Sequence, residues 1–149
     1  MRKIKDIVIH CTATKEGVDI GFKQIDQWHK KRGWKGCGYH YIVRIDGTVE
    51  VGRPDKEQGA HVKGFNRNSI GVVYVGGLDA NMRAKDTRTE EQKKELICLV
   101  ENLKANYPGA KVSGHRDFSK DLNGNGIIEP FEWSKICPCF DAKKEYKNL

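Results

Sequence analysis

The sequence contains two histidines and a late pair of cysteines, far apart along the chain, whose side chains could together bind a transition metal. His10 interrupts one apolar run, His115 ends another, and Cys137 and Cys139 lie near the carboxyl end in the stretch I-C-P-C-F, where one of them could be the third ligand. Residues at strand ends suit such a site, because the sheet holds their backbone while their side chains reach a cleft. Two imidazoles and one thiolate would give a catalytic zinc ion three protein ligands and leave its fourth position for water.

On spacing alone, other interpretations of these residues stay open. No HExxH or CxxC pattern links the histidines to the cysteines, so His10 could be a hydrogen-bonded core histidine and Cys139 an ordinary buried cysteine. A closed structural site that uses both Cys137 and Cys139 is a third interpretation, although the short C-P-C spacing makes joint ligation awkward. His29 lies beside two lysines in a predicted helix and is assigned no role.

The stretch at 121–132, DLNGNGIIEPFE, is a second candidate metal site and lies between His115 and Cys137. It matches the twelve-residue calcium loop, in which positions 1, 3, 5 and 12 give side-chain oxygens, position 7 gives a carbonyl and position 6 is a glycine. A surface loop held by Asx turns is the alternative. The predicted calcium ligands are Asp121, Asn123, Asn125, the Ile127 carbonyl and Glu132, with Gly126 at the sharp turn.

Hydrophobic patterns predict the strands that would position these residues. Residues 6–13 and 68–77 are nearly continuous apolar runs rich in β-branched side chains, which is typical of buried strands. Residues 39–53 predict a hairpin that turns at Asp46-Gly47, and residues 110–115 predict a last strand that ends at His115.

Helices are predicted between these strands. Residues 22–33 carry apolar side chains at helical spacing, and a capping box of Thr89 and Gln92 begins a longer helix that ends before Pro108-Gly109. A short helix is expected at the carboxyl end. Because strands and helices alternate, we predict an α/β fold: a single domain over residues 1–149, with a central mixed β-sheet flanked by α-helices.

Composition and charge restrict the class of protein. The chain is 38% hydrophobic and 32% charged, which is typical of a globular domain, and no apolar run approaches the roughly 18–20 residues that span a bilayer. A net charge of +7 favours an anionic partner, such as nucleic acid, anionic lipid or an acidic wall polymer. An odd number of cysteines, five, behind no recognisable signal peptide argues against a secreted disulfide framework.

Several segments, in order, resemble the zinc-dependent N-acetylmuramoyl-L-alanine amidases of the type 2 amidase family, which includes small phage lysozymes and is related to peptidoglycan recognition proteins. The resemblance runs over nearly the whole chain and implies a central mixed sheet flanked by helices. The segments that carry it are VIHCTAT, QWHKKRGW, GYHYIVRIDGTVEVGR, GAHVKGFNRNSIGVVYVGG, SGHRD and KICPCFD.

The resemblance also implies a reaction and a role for individual residues. A zinc-activated water would attack the amide bond between N-acetylmuramic acid and L-alanine in peptidoglycan. Lys135 would stabilise the oxyanion, and Tyr39 would orient the water or take part in proton transfer. The family's zinc ligands match His10, His115 and Cys137, and a substrate-cleft histidine matches His61.

The calcium-type loop at 121–132 is expected to be an insertion in this single amidase domain, because small family members bring the second and third zinc ligands closer together. No helix is expected to enter the loop, and no second loop pairs with it. Two asparagines among the ligands predict weak to moderate affinity for Ca²⁺. We therefore expect calcium, if bound, to fix the segment that delivers Lys135 and Cys137.

Alternative functions are a non-catalytic peptidoglycan-binding recognition protein and a regulator that binds a polymerase or nucleic acid. The presence of all five implied zinc-site and catalytic residues favours the enzyme. The expected partner is peptidoglycan, with no membrane insertion, no specific nucleic acid and a monomeric state. Without a signal peptide, we expect synthesis in the cytoplasm and action on the cell wall after release, as in a phage or prophage endolysin.

Overall fold

A central β-sheet organises the computed structural model, which describes residues 1–149. Helix α2 is the longest helix at 17 residues, and none of the helices has the length and apolar character that crossing a bilayer requires. The strands are β1 (Asp6–Cys11), β2 (Thr14–Lys15), β3 (Tyr41–Val43), β4 (Val49–Val51), β5 (Ser69–Tyr74), β6 (Gly77–Leu78) and β7 (Lys111–Gly114), and the helices are α1 (Phe22–Lys31), α2 (Glu90–Asn106) and α3 (Ala142–Glu145).

The sheet is mixed, as predicted. Its five strands lie in the order β4-β3-β5-β1-β7, and β2 and β6 form a separate two-stranded pair. β1 is parallel to both of its neighbours, β5 and β7, and β3 is parallel to β5. Only β4 is antiparallel, because the hairpin returns at Gly47, whose φ of 88° suits glycine. The carboxyl ends of four parallel strands therefore meet at one edge of the sheet.

Alternating side chains on the strands build a hydrophobic core on each face of the sheet. On one face, helix α1 packs through Ile25 against Ile42 of β3 and Val73 of β5. On the other face, helices α2 and α3 cover the odd-numbered residues of β1 and the even-numbered residues of β5. The parallel register pairs Val8 with Gly71 and His10 with Val73, so these four residues share the α1 face.

Helix α2 is attached to the sheet by the same residues that begin it. Thr89 and Gln92 form the predicted capping box. The Gln92 side chain is fully buried, and its Nε2 donates to the carbonyls of Val43 (3.3 Å), the last residue of β3, and Val75 (2.9 Å), which directly follows β5. Since every polar atom of this amide is paired, its burial does not leave an unsatisfied group.

A buried arginine holds the carboxyl-terminal segment against the rest of the domain. The Arg88 side chain is 2% exposed, and its Nη2 donates to Asp86 and to Glu145, each at 2.9 Å. Its guanidinium also lies 3.4 Å from the centre of the Phe140 ring. Because Phe140 follows the C-P-C stretch by one residue, Arg88 helps to place Cys137 and Cys139 against the sheet.

We predict that Arg88→Ala lowers the free energy of unfolding by about 2–3 kcal/mol, because it leaves two carboxylates without their buried partner. The hydrogen bond from Arg88 lowers the pKa of Glu145 in the folded protein. The stabilisation that this pair gives is therefore present above the ordinary glutamate pKa and is lost as pH falls through the lower folded value. Urea unfolding of the wild type and of Arg88→Ala at neutral and at acidic pH tests this prediction. The difference between their free energies of unfolding should become smaller as the pH falls.

The matched control is Lys85→Ala, which removes an exposed ion pair with Glu16. Solvent screens this pair, so we expect no measurable change in stability. Equal effects of the two substitutions would contradict the role assigned to Arg88.

Candidate metal centre

Three side chains that are far apart in sequence meet at the carboxyl edge of the parallel strands. The ligand atoms of His10, His115 and Cys137 all lie within 4.8 Å of one another. His10 is the fifth residue of β1, and His115 directly follows the neighbouring β7. The structure therefore brings together the three residues that the sequence analysis singled out as metal ligands.

Backbone contacts deliver Cys137 to the two histidines. The Arg116 N–H donates to the Cys137 carbonyl (2.9 Å), and the Cys11 N–H donates to Cys137 Sγ (3.2 Å). A Cβ on Gly114 would lie 2.6 Å from Pro138 Cδ, so the close approach of the C-P-C stretch to β7 requires a glycine there. The Cys137 segment is therefore attached to both strands that carry the histidines.

Both histidines of this group favour the neutral imidazole. Burial, followed by the nearby charges of His61 and His115, holds the pKa of His10 well below its ordinary value. Burial also lowers the pKa of His115, with a smaller contribution from the charge of Lys135. A neutral imidazole keeps the lone pair that a metal needs, so proton release does not oppose binding at neutral pH.

This donor set fits a catalytic zinc ion, which takes three nitrogen or sulfur ligands from a protein and keeps one open position. Cys139 is outside the group. Its thiol donates to the Gly77 carbonyl (3.4 Å) and lies 3.9 Å from the sulfur of Cys11. The arrangement thus differs from the closed site in which Cys137 and Cys139 would both be ligands.

Tyr39 lies beside His10, and Lys135 lies near His115. The Tyr39 ring centre is 5.1 Å from that of His10, and its hydroxyl makes no hydrogen bond within the chain. Burial raises the pKa of Tyr39, so the phenol stays protonated and can donate. Lys135 is exposed, makes no ion pair, and is close enough to lower the pKa of His115.

His61 is half-buried, and its ring is next to that of His10. Its Nδ1 is 2.9 Å from His10 Nε2, and its Nε2 is 3.1 Å from Ser69 Oγ. Burial, followed by the charges of His40 and His115, lowers the pKa of His61 to about 3. Both of its ring nitrogens therefore have partners within the protein, a feature that the sequence analysis did not predict.

A cavity adjoins the metal-ligand group on the α1 side. It has a volume of about 120 Å³ and shares Tyr39 with the site. A larger cavity of about 380 Å³ lies at the amino end of α1, beside Arg44 and Glu50, and contains none of the candidate site residues. The smaller cavity is lined by Thr12, Ile25, Trp28, His29, Arg32 and Tyr39.

The stretch at 121–132 forms an exposed loop without an entering helix, as predicted, and ends in a single 3₁₀ turn, Pro130–Glu132. Its carboxylates accept bonds from the loop's own backbone: Asp121 from Gly124 and Gly126, and Glu132 from Leu122 and Glu129. The carboxylates of the loop do not form a group of three ligand atoms as close as that of the histidines and Cys137.

Contacts between its two ends close the loop at its neck, which we define as Arg116, Ser119, Trp133 and Ser134. Ser119 Oγ donates to the Arg116 carbonyl (2.7 Å) and accepts from the Ser134 N–H (3.0 Å). The Arg116 guanidinium lies 3.9 Å from the Trp133 ring centre. The neck lies between the loop and the ligands His115 and Cys137, with Lys135 directly after it.

The contacts of His61 with His10 and Ser69 could not be predicted from the sequence, because they join a loop to two strands. One signal for them was present. Gly71 lies in the middle of a buried strand, where glycine weakens the strand and commonly marks the close approach of another group. In the structure that group is the His61 ring.

Comparison with known proteins identifies the family. Residues 1–138 match the family described as N-acetylmuramoyl-L-alanine amidase. An endolysin of Klebsiella phage KP32 is 41% identical over 147 residues, which cover 99% of this chain and 88% of that protein. Peptidoglycan-recognition protein LB of Drosophila melanogaster is 31% identical over 102 residues, 63% of this chain and 40% of that protein.

A solved structure supports the same assignment. The endolysin N-acetylmuramoyl-L-alanine amidase LysCS from Clostridium intestinale URNW superposes with a TM-score of 0.75 at 28% identity, over 98% of this chain and 82% of that one. At this TM-score the two proteins share one fold, which in this chain is the predicted mixed sheet with flanking helices. The family match and the phage relative both extend over nearly the whole chain, and the chain therefore belongs to the N-acetylmuramoyl-L-alanine amidase family.

Proposed function

We propose that the protein is a zinc-dependent N-acetylmuramoyl-L-alanine amidase that cleaves the amide bond between N-acetylmuramic acid and L-alanine in peptidoglycan. The main observation in support of this proposal is that the ligand atoms of His10, His115 and Cys137 lie close together at one edge of the sheet. Endolysin and amidase relatives of matching length support it. We further propose that the protein acts on the bacterial cell wall as an endolysin does.

His10, His115 and Cys137 would hold the zinc ion. Zinc in such a site supplies a Lewis acid and a water whose pKa falls to about 7. The protein's own contribution is to keep both imidazoles neutral through burial and to hold Cys137 Sγ in place with the Cys11 N–H.

Tyr39 and Lys135 would act on the substrate. The free hydroxyl of Tyr39 can orient the nucleophile or the amide by donating a hydrogen bond. Lys135 carries an unpaired cation next to a ligand-bearing segment, where it can stabilise the negative charge that develops on the amide oxygen. The exposed edge of His61 would line the cleft beside them, and the cavity at Tyr39 would receive part of the peptide.

A second candidate function is peptidoglycan recognition without cleavage, because a recognition protein of Drosophila is among the relatives. A pure binding protein needs neither a complete ligand set nor a free cation beside it. The enzyme is the better-supported function, since the three ligand atoms lie within 4.8 Å of one another. The residues of the ligand set and its neighbours are all present: His10, His115, Cys137, Tyr39 and Lys135.

For the loop at 121–132, we propose a structural Ca²⁺ site on the strength of the twelve-residue pattern. Each ionised carboxylate has about four lone-pair positions, so Asp121 and Glu132 can keep their backbone bonds and still bind a cation. Glu132 is 4% exposed, which places one carboxylate inside the loop. Calcium would then reinforce the neck and the approach of Lys135.

The first prediction concerns the bond that is cleaved. Incubation with purified peptidoglycan should release new L-alanine amino termini and no new reducing sugar ends. Cys137→Ala should abolish this release, because it removes one of three metal ligands. Cys98→Ala is the matched control, since that thiol is exposed on α2 away from the site, and it should retain full activity. New reducing ends would indicate a glycosidase, and binding without release would indicate a recognition protein.

The second prediction concerns oxyanion stabilisation. Lys135→Ala should lower kcat by about 10²–10³-fold, as the loss of one oxyanion donor commonly does, and leave zinc content unchanged. Lys120→Ala removes an equally exposed lysine at the other end of the loop and serves as the control. If both variants kept wild-type kcat, Lys135 would have no catalytic role.

The third prediction concerns calcium. With zinc held constant, adding Ca²⁺ should raise the Tm of the protein, because binding to the folded state alone stabilises it. Glu132→Gln should remove this increase and leave zinc binding intact. An unchanged Tm and activity in Ca²⁺ and in a calcium-selective chelator would show that the loop is held by its own hydrogen bonds.

A further inference from the structure

A chain of three polar side chains, of which the first and last are buried and the middle one is half-buried, leads away from the candidate metal centre. It runs from His10 on β1 to His61 in the loop before β5 and then to Ser69, the first residue of β5. The two links measure 2.9 Å and 3.1 Å, which are ordinary hydrogen-bond lengths. His10 is 1% exposed and Ser69 is fully buried, so water does not replace either link.

The backbone is shaped to receive the His61 ring. A Cβ on Gly71 would lie 2.7 Å from the Cγ and Cδ2 atoms of His61, so any other residue there would displace the ring. Gly71 lies on the α1 face of β5, the same face on which His10 leaves β1. The ring therefore lies against Gly71, and its Nδ1 lies 2.9 Å from His10 Nε2.

A second feature holds the His61 backbone. Asn66 Oδ1 accepts two hydrogen bonds, from the N–H groups of His61 (2.9 Å) and Val62 (2.8 Å). Both ends of the residue are thus fixed: its backbone by Asn66, and its ring by Gly71 and Ser69. A residue that only lined a cleft would need none of these constraints.

The hydrogen-bond roles follow from the need for a free lone pair on His10. Its Nε2 is occupied by His61, so Nδ1 is the nitrogen left for a metal and must carry no proton. His10 Nε2–H then donates to His61 Nδ1, and His61 Nε2–H donates to Ser69 Oγ. Each ring nitrogen of His10 and His61 then has one partner, and the donor and the acceptor of both hydrogen bonds are determined.

We propose that His61 and Ser69 are positioning residues that fix the tautomer and ring orientation of the ligand His10. This inference rests on the proposed zinc site and assigns His61 a role besides the cleft lining. An outer partner of this kind holds the ligand's lone pair on the metal side and increases its basicity. Loss of such a partner commonly weakens metal binding by about 10–100-fold.

The test compares variants that differ in one link. His61→Phe fills the space but leaves the His10 N–H unpaired, and it should weaken zinc binding by about 10–100-fold, measured by competition with a chromophoric chelator. His61→Asn restores an acceptor near the position of Nδ1 and should recover part of the affinity. Ser69→Ala removes only the outer link and should have a smaller effect of the same sign.

The matched control is His40→Asn, because His40 is a buried histidine that, like His61, lies close to Gly71. Its ring nitrogens bond the Gly71 N–H and the Glu57 carbonyl and do not touch a metal ligand. This variant should lower Tm and leave zinc affinity within about twofold. Equal losses of zinc affinity in the His40 and His61 variants would mean general destabilisation and would overturn the proposal.

Kinetics at saturating zinc separate positioning from substrate contact. His61→Phe should regain much of its kcat when excess zinc fills the site, and any increase in KM that remains measures the loss of its cleft edge. An unchanged zinc affinity together with a raised KM would assign His61 to the substrate and overturn the positioning role. In ¹⁵N spectra of the wild type, the His10 ring should carry its proton on Nε2.

Failure of this proposal is distinguishable from failure of the proposed function. If the wild-type protein binds no zinc, both proposals fail. If the wild type binds one zinc ion and cleaves peptidoglycan, but His61→Phe binds zinc as tightly, only the positioning role is overturned.

Discussion

The parallel pairing of β1 with both of its neighbours is the constraint on which the rest of the site depends. Parallel strands end at the same edge, so a residue near the end of β1 and one just after β7 must come close together. Helices on both faces make this pairing possible, because they bury strands that are apolar on both sides. The position of His10 beside His115 is therefore a property of the sheet more than of either loop.

Burial of the histidines carries an energetic consequence. A buried imidazole resists protonation, so the site exists mainly with neutral rings. Neutral rings must then divide their nitrogens between donors and acceptors, and an unmatched nitrogen in the interior would be costly. The hydrogen bonds among His10, His61 and Ser69 pair donors with acceptors. The low local dielectric that disfavours protonation of the rings also strengthens each of these hydrogen bonds.

Much of the fold could be predicted from the sequence, because it depends on local patterns. The capping box at Thr89, the hairpin at Asp46-Gly47 and the apolar run of β1 all appear where the residues place them. The predicted runs were longer than the strands: β1 ends at Cys11, and the hairpin strands have three residues each. Arg44 and Thr48 bond across a wider turn, which shortens that hairpin.

The candidate ligands were found through residue type and resemblance, but their supports were not. Long-range contacts provide these supports: the partner of Arg88 is 57 residues away, and one partner of Gln92 is 17 residues away. Ser69 bonds a histidine in a separate loop. Residue spacing along the sequence does not predict such pairs. The neck of the calcium-type loop has a further consequence for evolution. Because Ser119 bonds Ser134 and Arg116 stacks on Trp133, these contacts lie between the exposed part of the loop and the ligands. Surface loops tolerate insertions and deletions, and a loop closed at its neck can change in length with its two ends still held together.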